Sequence, residues 1–239
     1  MFNTILFDLD GTLLPLDQNL FIKNYFKALA SYFAPLGFDV PKLLGVVEQA
    51  TALMFKNDGS ATNEEVFWKY FLKEFGGTPA DYEPLFEKFY TSAFDFAKNG
   101  SPEANPLVRP CIELLKSKGY ELILATNPVF PQIATKRRIS WAGLEPELFS
   151  YITTYDNCTY TKPSHEYYKE ILRKCGKTPS ECLMVGNDVK EDMSIASLGF
   201  DTYLIKDYLI NTDNLPIKSE KQGSFTDFYE FAKNIKSIQ

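Results

Sequence analysis

Close to the start of the chain the apolar run Ile5-Leu6-Phe7 stops at Asp8-Leu9-Asp10-Gly11-Thr12-Leu13-Leu14. A short apolar run of this kind reads as a buried strand of a parallel sheet. In open α/β sheets, ligands gather just beyond the carboxyl ends of the strands. If the chain stays extended, the strand period of two sends Asp8 and Asp10 the same way. Gly11 permits a sharp turn, and Thr12 can satisfy local backbone donors. Two carboxylates this close repel unless a cation lies between them. A hard divalent ion with oxygen ligands, such as Mg²⁺, meets that need. A bare D-x-D is often no more than a solvated strand end, because Asp is common in turns. The rest of the chain has to decide.

From Pro106 the sequence alternates helix and strand. Helical patterns run over 107–118, 131–141, 164–174, 191–198 and 225–235. Between them lie strand patterns at 121–127, 151–154, 182–186 and 202–205. Gly119 and Gly199 follow helices as C-terminal stops. Such alternation predicts a doubly wound parallel sheet with helices on both faces. Residues 15–102 read differently. Asp17 can cap a helix carrying Leu20, Phe21, Tyr25, Leu29 and Tyr32. A second helix opens at Asp39 and Pro41, and a third at the capping box Thr62/Glu65. A fourth runs over about 81–97. The organisation expected is an α/β core from 1–14 and 103–239, interrupted by an all-helical subdomain at 15–102. Aromatic stripes on these helices read as bundle core. The polar loop Lys56-Asn57-Asp58 is the segment nominated for substrate selection.

Composition narrows the function classes. The net charge of -6 offers no basic field for a nucleic-acid backbone, so no nucleic-acid partner is expected. Lys136-Arg137-Arg138 is the densest basic cluster, and it reads as a solvated helix face. No apolar run approaches the ~20 residues of a membrane span, and no secretory signal opens the chain. Four scattered cysteines without a C-x-x-C pair, and a single histidine, argue against zinc and against a disulfide framework. A reducing cytoplasm fits them. His165 falls in the first turn of a helix, and one histidine leaves little scope for Ser-His or Cys-His chemistry.

Three strands end in residues suited to phosphoryl transfer: Asp8/Asp10, Thr126/Asn127 and Asn187/Asp188. Lys162 lies in a loop on the same side. Thr126 offers a hydroxyl and Asn127 an amide to phosphate oxygens, and Lys162 a point charge. Singly, each is ordinary: a turn, a solvated loop, a helix cap. In this order and at these positions, they resemble the four motifs of the haloacid dehalogenase superfamily. The resemblance covers 5–14 and roughly 107–205, and most members of that family are Mg²⁺-dependent phosphohydrolases with a Rossmann-like core.

The resemblance implies that Asp8 is the nucleophile, forming an aspartyl-phosphate, and that Asp10 is the general acid and base. Thr126 and Lys162 take the second- and third-motif positions. Mg²⁺ would be held by Asp8, the backbone carbonyl of Asp10 and a fourth-motif acid. The helical insert matches a cap that closes over a small phosphorylated metabolite. The fourth motif departs from the common form, because Gly186 is followed by Asn187 and only then Asp188. Asp188 with Asp192 gives acids four apart, and Asn187 with Asp192 a pair five apart. Mg²⁺ prefers a charged oxygen, which favours Asp188 as ligand with Asp192 in support. A sugar phosphomutase would use the same residues. A dehalogenase of the family would lack the second aspartate, and a non-catalytic scaffold has no need of converging acids.

Overall fold

The computed structural model describes residues 2–219 and 221–238. The chain opens with β1 (Thr4–Phe7) and then leaves the sheet for four helices. These are α1 (Gln18–Phe33), α2 (Val40–Met54), α3 (Asn63–Phe75) and α4 (Pro79–Ser92). It returns through α5 (Val108–Ser117), β2 (Glu121–Leu124), α6 (Gln132–Trp141), β3 (Tyr151–Ile152) and α7 (His165–Cys175). It closes with β4 (Cys182–Gly186), β5 (Asp201–Ile205), β6 (Lys221–Gly223) and α8 (Phe225–Asn234). The strands form one sheet in the order β3-β2-β1-β4-β5-β6, and every neighbouring pair is parallel.

The register places the chemistry. Phe7 pairs with Leu124 on one side and Val185 on the other. The chain therefore leaves β1 at Asp8, β2 at Ala125-Thr126 and β4 at Gly186-Asn187 on one edge of the sheet. The three central strands are buried on both faces, which is why they read as unbroken apolar runs.

Local signals set the helix starts. Asp17 accepts the Leu20 amide at 2.9 Å, and Thr62 and Glu65 form a reciprocal capping box. Gly76 and Gly77 both take positive φ after α3. Three elements differ from the sequence expectation. The fourth helix stops at Ser92 and gives way to a 3-10 turn at Phe94–Lys98. The helix expected over 191–198 is only a 3-10 turn at Ser194–Leu198, because the chain first winds around the Asp188 carboxylate. The edge strand β6 had no signal in Lys-Gln-Gly, since an edge strand buries little.

The inserted helices pack through aromatic rings. Phe33 meets Phe38, Phe86 and Phe89 with centroids 5.0, 4.9 and 6.2 Å apart. Pairs of this kind add ~0.5–1.5 kcal/mol each beyond area burial. The insert also docks on the core. The fully buried Asn63 donates its side-chain amide to the Pro128 carbonyl at 3.1 Å. The backbone amides of Asn63 and Glu64 donate to the carbonyls of Cys158 and Tyr155, both at 2.9 Å. At the return crossing, Asp95 pairs with Arg137 and accepts the Trp141 indole N–H at 3.0 Å. Among the described residues no helix is long and apolar enough to cross a membrane.

Candidate active site

Asp8 sits directly past β1 and is largely buried. Lys162, fully buried, donates to Asp8 Oδ1 and to Asp192 Oδ1, both at 2.7 Å. Burial alone would push the Lys162 ammonium down, but the carboxylates of Asp192 and Asp8 outweigh it, and its pKa stands well above the ordinary lysine value. Two acids share that single ammonium. Asp192 is the deeper of them, and burial raises its carboxyl to about 7 against the pull of Lys162.

Two glycines let the parts meet. A Cβ on Gly186 would lie 2.2 Å from Asp192 Oδ2, so only glycine lets Asp192 tuck against the end of β4. Gly11, at φ +77°, would put a Cβ 2.3 Å from the Asn187 amide nitrogen. The open space above Gly11 is what admits the Asn187 side chain. The Thr12 hydroxyl then lies 3.4 Å from Asp8 Oδ2 and 3.2 Å from Asn187 Oδ1. Asn187 donates to the Tyr208 carbonyl at 2.6 Å, which fixes its oxygen toward Thr12.

Asp188 goes elsewhere. Its Oδ1 accepts the amides of Lys190 and Glu191 at 2.7 and 2.8 Å, capping the turn after β4. It borders a surface depression with Pro163, Asn211 and Asp213. The fourth-motif side chain that shares the Thr12 hydroxyl with Asp8 is Asn187. Asp192 is held by Lys162 and by the Asp188 amide at 3.1 Å. Thr126 is buried, and both it and Asn127 line the same cavity as Asp10. Asn127 Oδ1 accepts the Lys162 amide at 3.3 Å, and its Nδ2 donates to Glu191. Burial lifts the Glu191 carboxyl to about 7, with the Lys162 charge working against it.

Asp10 lines a cavity of about 390 Å³ between insert and core. Its Oδ2 pairs with Arg138, and its Oδ1 is buried with no partner. Arg138 is the largest surprise of the site. It reads as part of a solvated basic cluster, yet it is 1% exposed and stacked 5.6 and 5.0 Å from the ring centres of Phe21 and Phe130. Burial lowers its pKa to about 10, and Asp8 works in the opposite direction. A signal existed, because Ala134, Arg138 and Trp141 stand at i, i+4 and i+7 on one buried stripe of α6. The nominated loop makes no wall of the cavity. Asn57 donates to Asn63 Oδ1 at 2.8 Å and so steadies the docking residue. His165 opens α7 away from this site, as expected.

The model of the haloacid dehalogenase-like hydrolases matches residues 2–198. The chain belongs to this family. It is therefore an enzyme of the haloacid dehalogenase-like hydrolases, with the parallel Rossmann-like sheet of that family. The chain is 25% identical over 186 residues to pyrophosphatase PpaX of Bacillus cereus (strain AH820), covering 78% of this chain and 74% of that one. It superposes on a HAD phosphatase from Thermococcus onnurineus with TM-score 0.58 and 19% identity, over 99% and 100% of the two chains. A 2-haloacid dehalogenase from Pseudomonas syringae pv. Tomato DC3000 gives TM-score 0.61 and 18% identity over 96% and 97%. At these identities the two structures show a shared fold, and the reaction has to be read from the site.

Proposed function

We propose that this hydrolase cleaves small phosphomonoesters through an aspartyl-phosphate on Asp8. The observation that carries the reading is Asp10: a second carboxylate beside Asp8, lining the cavity, with one oxygen buried and unpartnered. In the first step an Asp8 oxygen bonds to phosphorus as the ester P–O bond breaks, and Asp10 gives its proton to the departing alkoxide. In the second step Asp10 takes a proton from water as the water oxygen attacks phosphorus. The Asp8–phosphorus bond breaks and inorganic phosphate leaves. Lys162 offsets the charge on Asp8 and the transferred group, and Thr126 and Asn127 donate to phosphate oxygens. Arg138 fixes the orientation of Asp10. The insert acts as a cap that excludes water during the first step. The named Bacillus relatives support phosphoryl chemistry at this site.

The residues present fit Mg²⁺. Asp8 Oδ2 and Asn187 Oδ1 are oxygen donors brought together around Thr12. Mg²⁺ sites need only one or two carboxylates when substrate phosphate completes the shell. Asp8, Asn187 and the Asp10 backbone carbonyl would hold it, and it would supply charge neutralisation at the phosphoryl oxygens. Phosphate release from a panel of monoesters is expected to vanish with excess chelator and to return with added Mg²⁺. Full turnover in chelator would overturn the reading.

Asn187 and Asp188 should separate cleanly. Asn187→Ala is expected to raise the Mg²⁺ concentration for half-maximal activity at least about tenfold, the range for lost metal-site support. Asp188→Ala should leave that concentration near wild type and cost about 1 kcal/mol of stability, as loss of a cap does. A Mg²⁺ titration of both variants, with melting curves, is the measurement. The opposite pattern would return the ligand role to Asp188.

A further inference from the structure

We infer that the cavity selects phosphomonoesters of flat, largely apolar alcohols, aryl and arylalkyl phosphates being the simplest, over polyol phosphates and pyrophosphate. The inference rests on the phosphatase reading above and names its substrate class. The walls carry it. Phe21, Phe67, Trp68, Phe86, Phe130 and Tyr155 surround the space that ends at Asp10, Thr126 and Asn127. Its volume of about 390 Å³ falls in the range of small-molecule pockets and has room for one or two rings. Two large apolar side chains, Ile22 and Phe55, stand 43% and 50% exposed on the same lining. Apolar groups left this open beside a cavity suit an apolar guest.

Among the polar groups on the walls, the Thr51 hydroxyl donates to the Val47 carbonyl at 2.8 Å and Gln18 stands exposed. The hydroxyls of Tyr25 and Tyr90 face each other at 3.2 Å. Arg138 is the one cation among the described lining residues, and it is paired with Asp10 and clamped between Phe21 and Phe130. Glu48 adds an acid to the same wall. A second phosphate entering here would be desolvated without a free cation to receive it. A polyol would bury hydroxyls without partners, at about a tenfold loss of affinity or more for each one.

The test must separate shape from leaving-group reactivity, so the esters compared are all alkyl phosphates. With the full chain and Mg²⁺, kcat/KM is measured for 2-phenylethyl phosphate, ethyl phosphate and glycerol 3-phosphate, with pyrophosphate alongside. The phenylethyl ester is expected to exceed glycerol phosphate and pyrophosphate by about a hundredfold, since burying a ring is worth that much. Ala52→Phe, which adds a ring to the cavity wall, should lower the phenylethyl-to-ethyl ratio at least tenfold. Glycerol phosphate or pyrophosphate turning over as well as the phenylethyl ester would overturn the inference. Calorimetric binding of 2-naphthylmethylphosphonate keeps the two readings apart. Binding without turnover of any ester would uphold the cavity's selectivity and sink the phosphatase reading. Absence of phosphonate binding would sink the inference whatever the turnover.

Discussion

Asp8→Asn abolishes turnover and phosphoenzyme formation together while leaving the melting temperature at or above that of the wild type. The loss expected is at least about 10⁴-fold, the scale seen when a nucleophile is removed from an intact site. The stability side follows from the shared ammonium. Lys162 serves both Asp8 and Asp192, and the second acid is the deeper. A neutral amide at position 8 keeps the shape, leaves the ammonium wholly to Asp192 and removes a like charge. The proposed nucleophile is thus held at a cost to the fold, as is common for residues kept for activity. Acid-quenched labelling for the phosphoenzyme, steady-state kinetics and a thermal melt make the comparison. Turnover within tenfold of wild type would remove Asp8 from the role.

Lys162→Met is expected to damage both the fold and the chemistry. The side chain is fully buried, and its loss leaves Asp8 and Asp192 facing each other without a counter-charge. Removing one partner of a buried ion pair costs about 3–5 kcal/mol. For a chain of this size that is a fall in Tm of about 6 to 20 °C. The discriminating variant is the double one, Lys162→Met with Asp192→Asn. It removes the unpaired charge as well as the ammonium, so most of the stability should return. Activity should not, because the positive charge beside the phosphoryl group is still missing. A single variant that melts like wild type would show that the ammonium is not what balances these acids.

Fold and site were legible in the sequence to different depths. The parallel sheet was readable because buried strands cannot alternate polar and apolar residues, and β1, β2 and β4 do not. Lys162 and Asp192 could be placed because they follow strands whose ends share one edge. Arg138 was not, since charge dominates the reading of three consecutive basic residues. The partner carboxylate and the two phenylalanine rings hold one of the three inside, and its mark in the sequence was its place on the Ala134/Arg138/Trp141 stripe. The sequence left Asn187 and Asp188 as alternatives, and which way each turns was not legible in it. Ligand preference favours the acid, but the chain direction out of β4 turns the amide toward Asp8 and spends the acid on backbone amides. β6 escaped because three polar residues at a sheet edge bury too little to leave a pattern.

The first turn of α3 carries a consequence for the working cycle. The leading amides of any helix lack partners within the helix. Here the core completes two of them, through the Cys158 and Tyr155 carbonyls. The insert is therefore held to the core by backbone groups that no side-chain replacement removes. Lifting it means rehydrating those amides and prising Asn63 from its buried seat. Under the proposed function, such latching makes product release the step expected to be slow. With the insert as the cap proposed above, turnover is expected to respond to solvent viscosity more than to the reactivity of the ester, which a viscosity series on two esters measures.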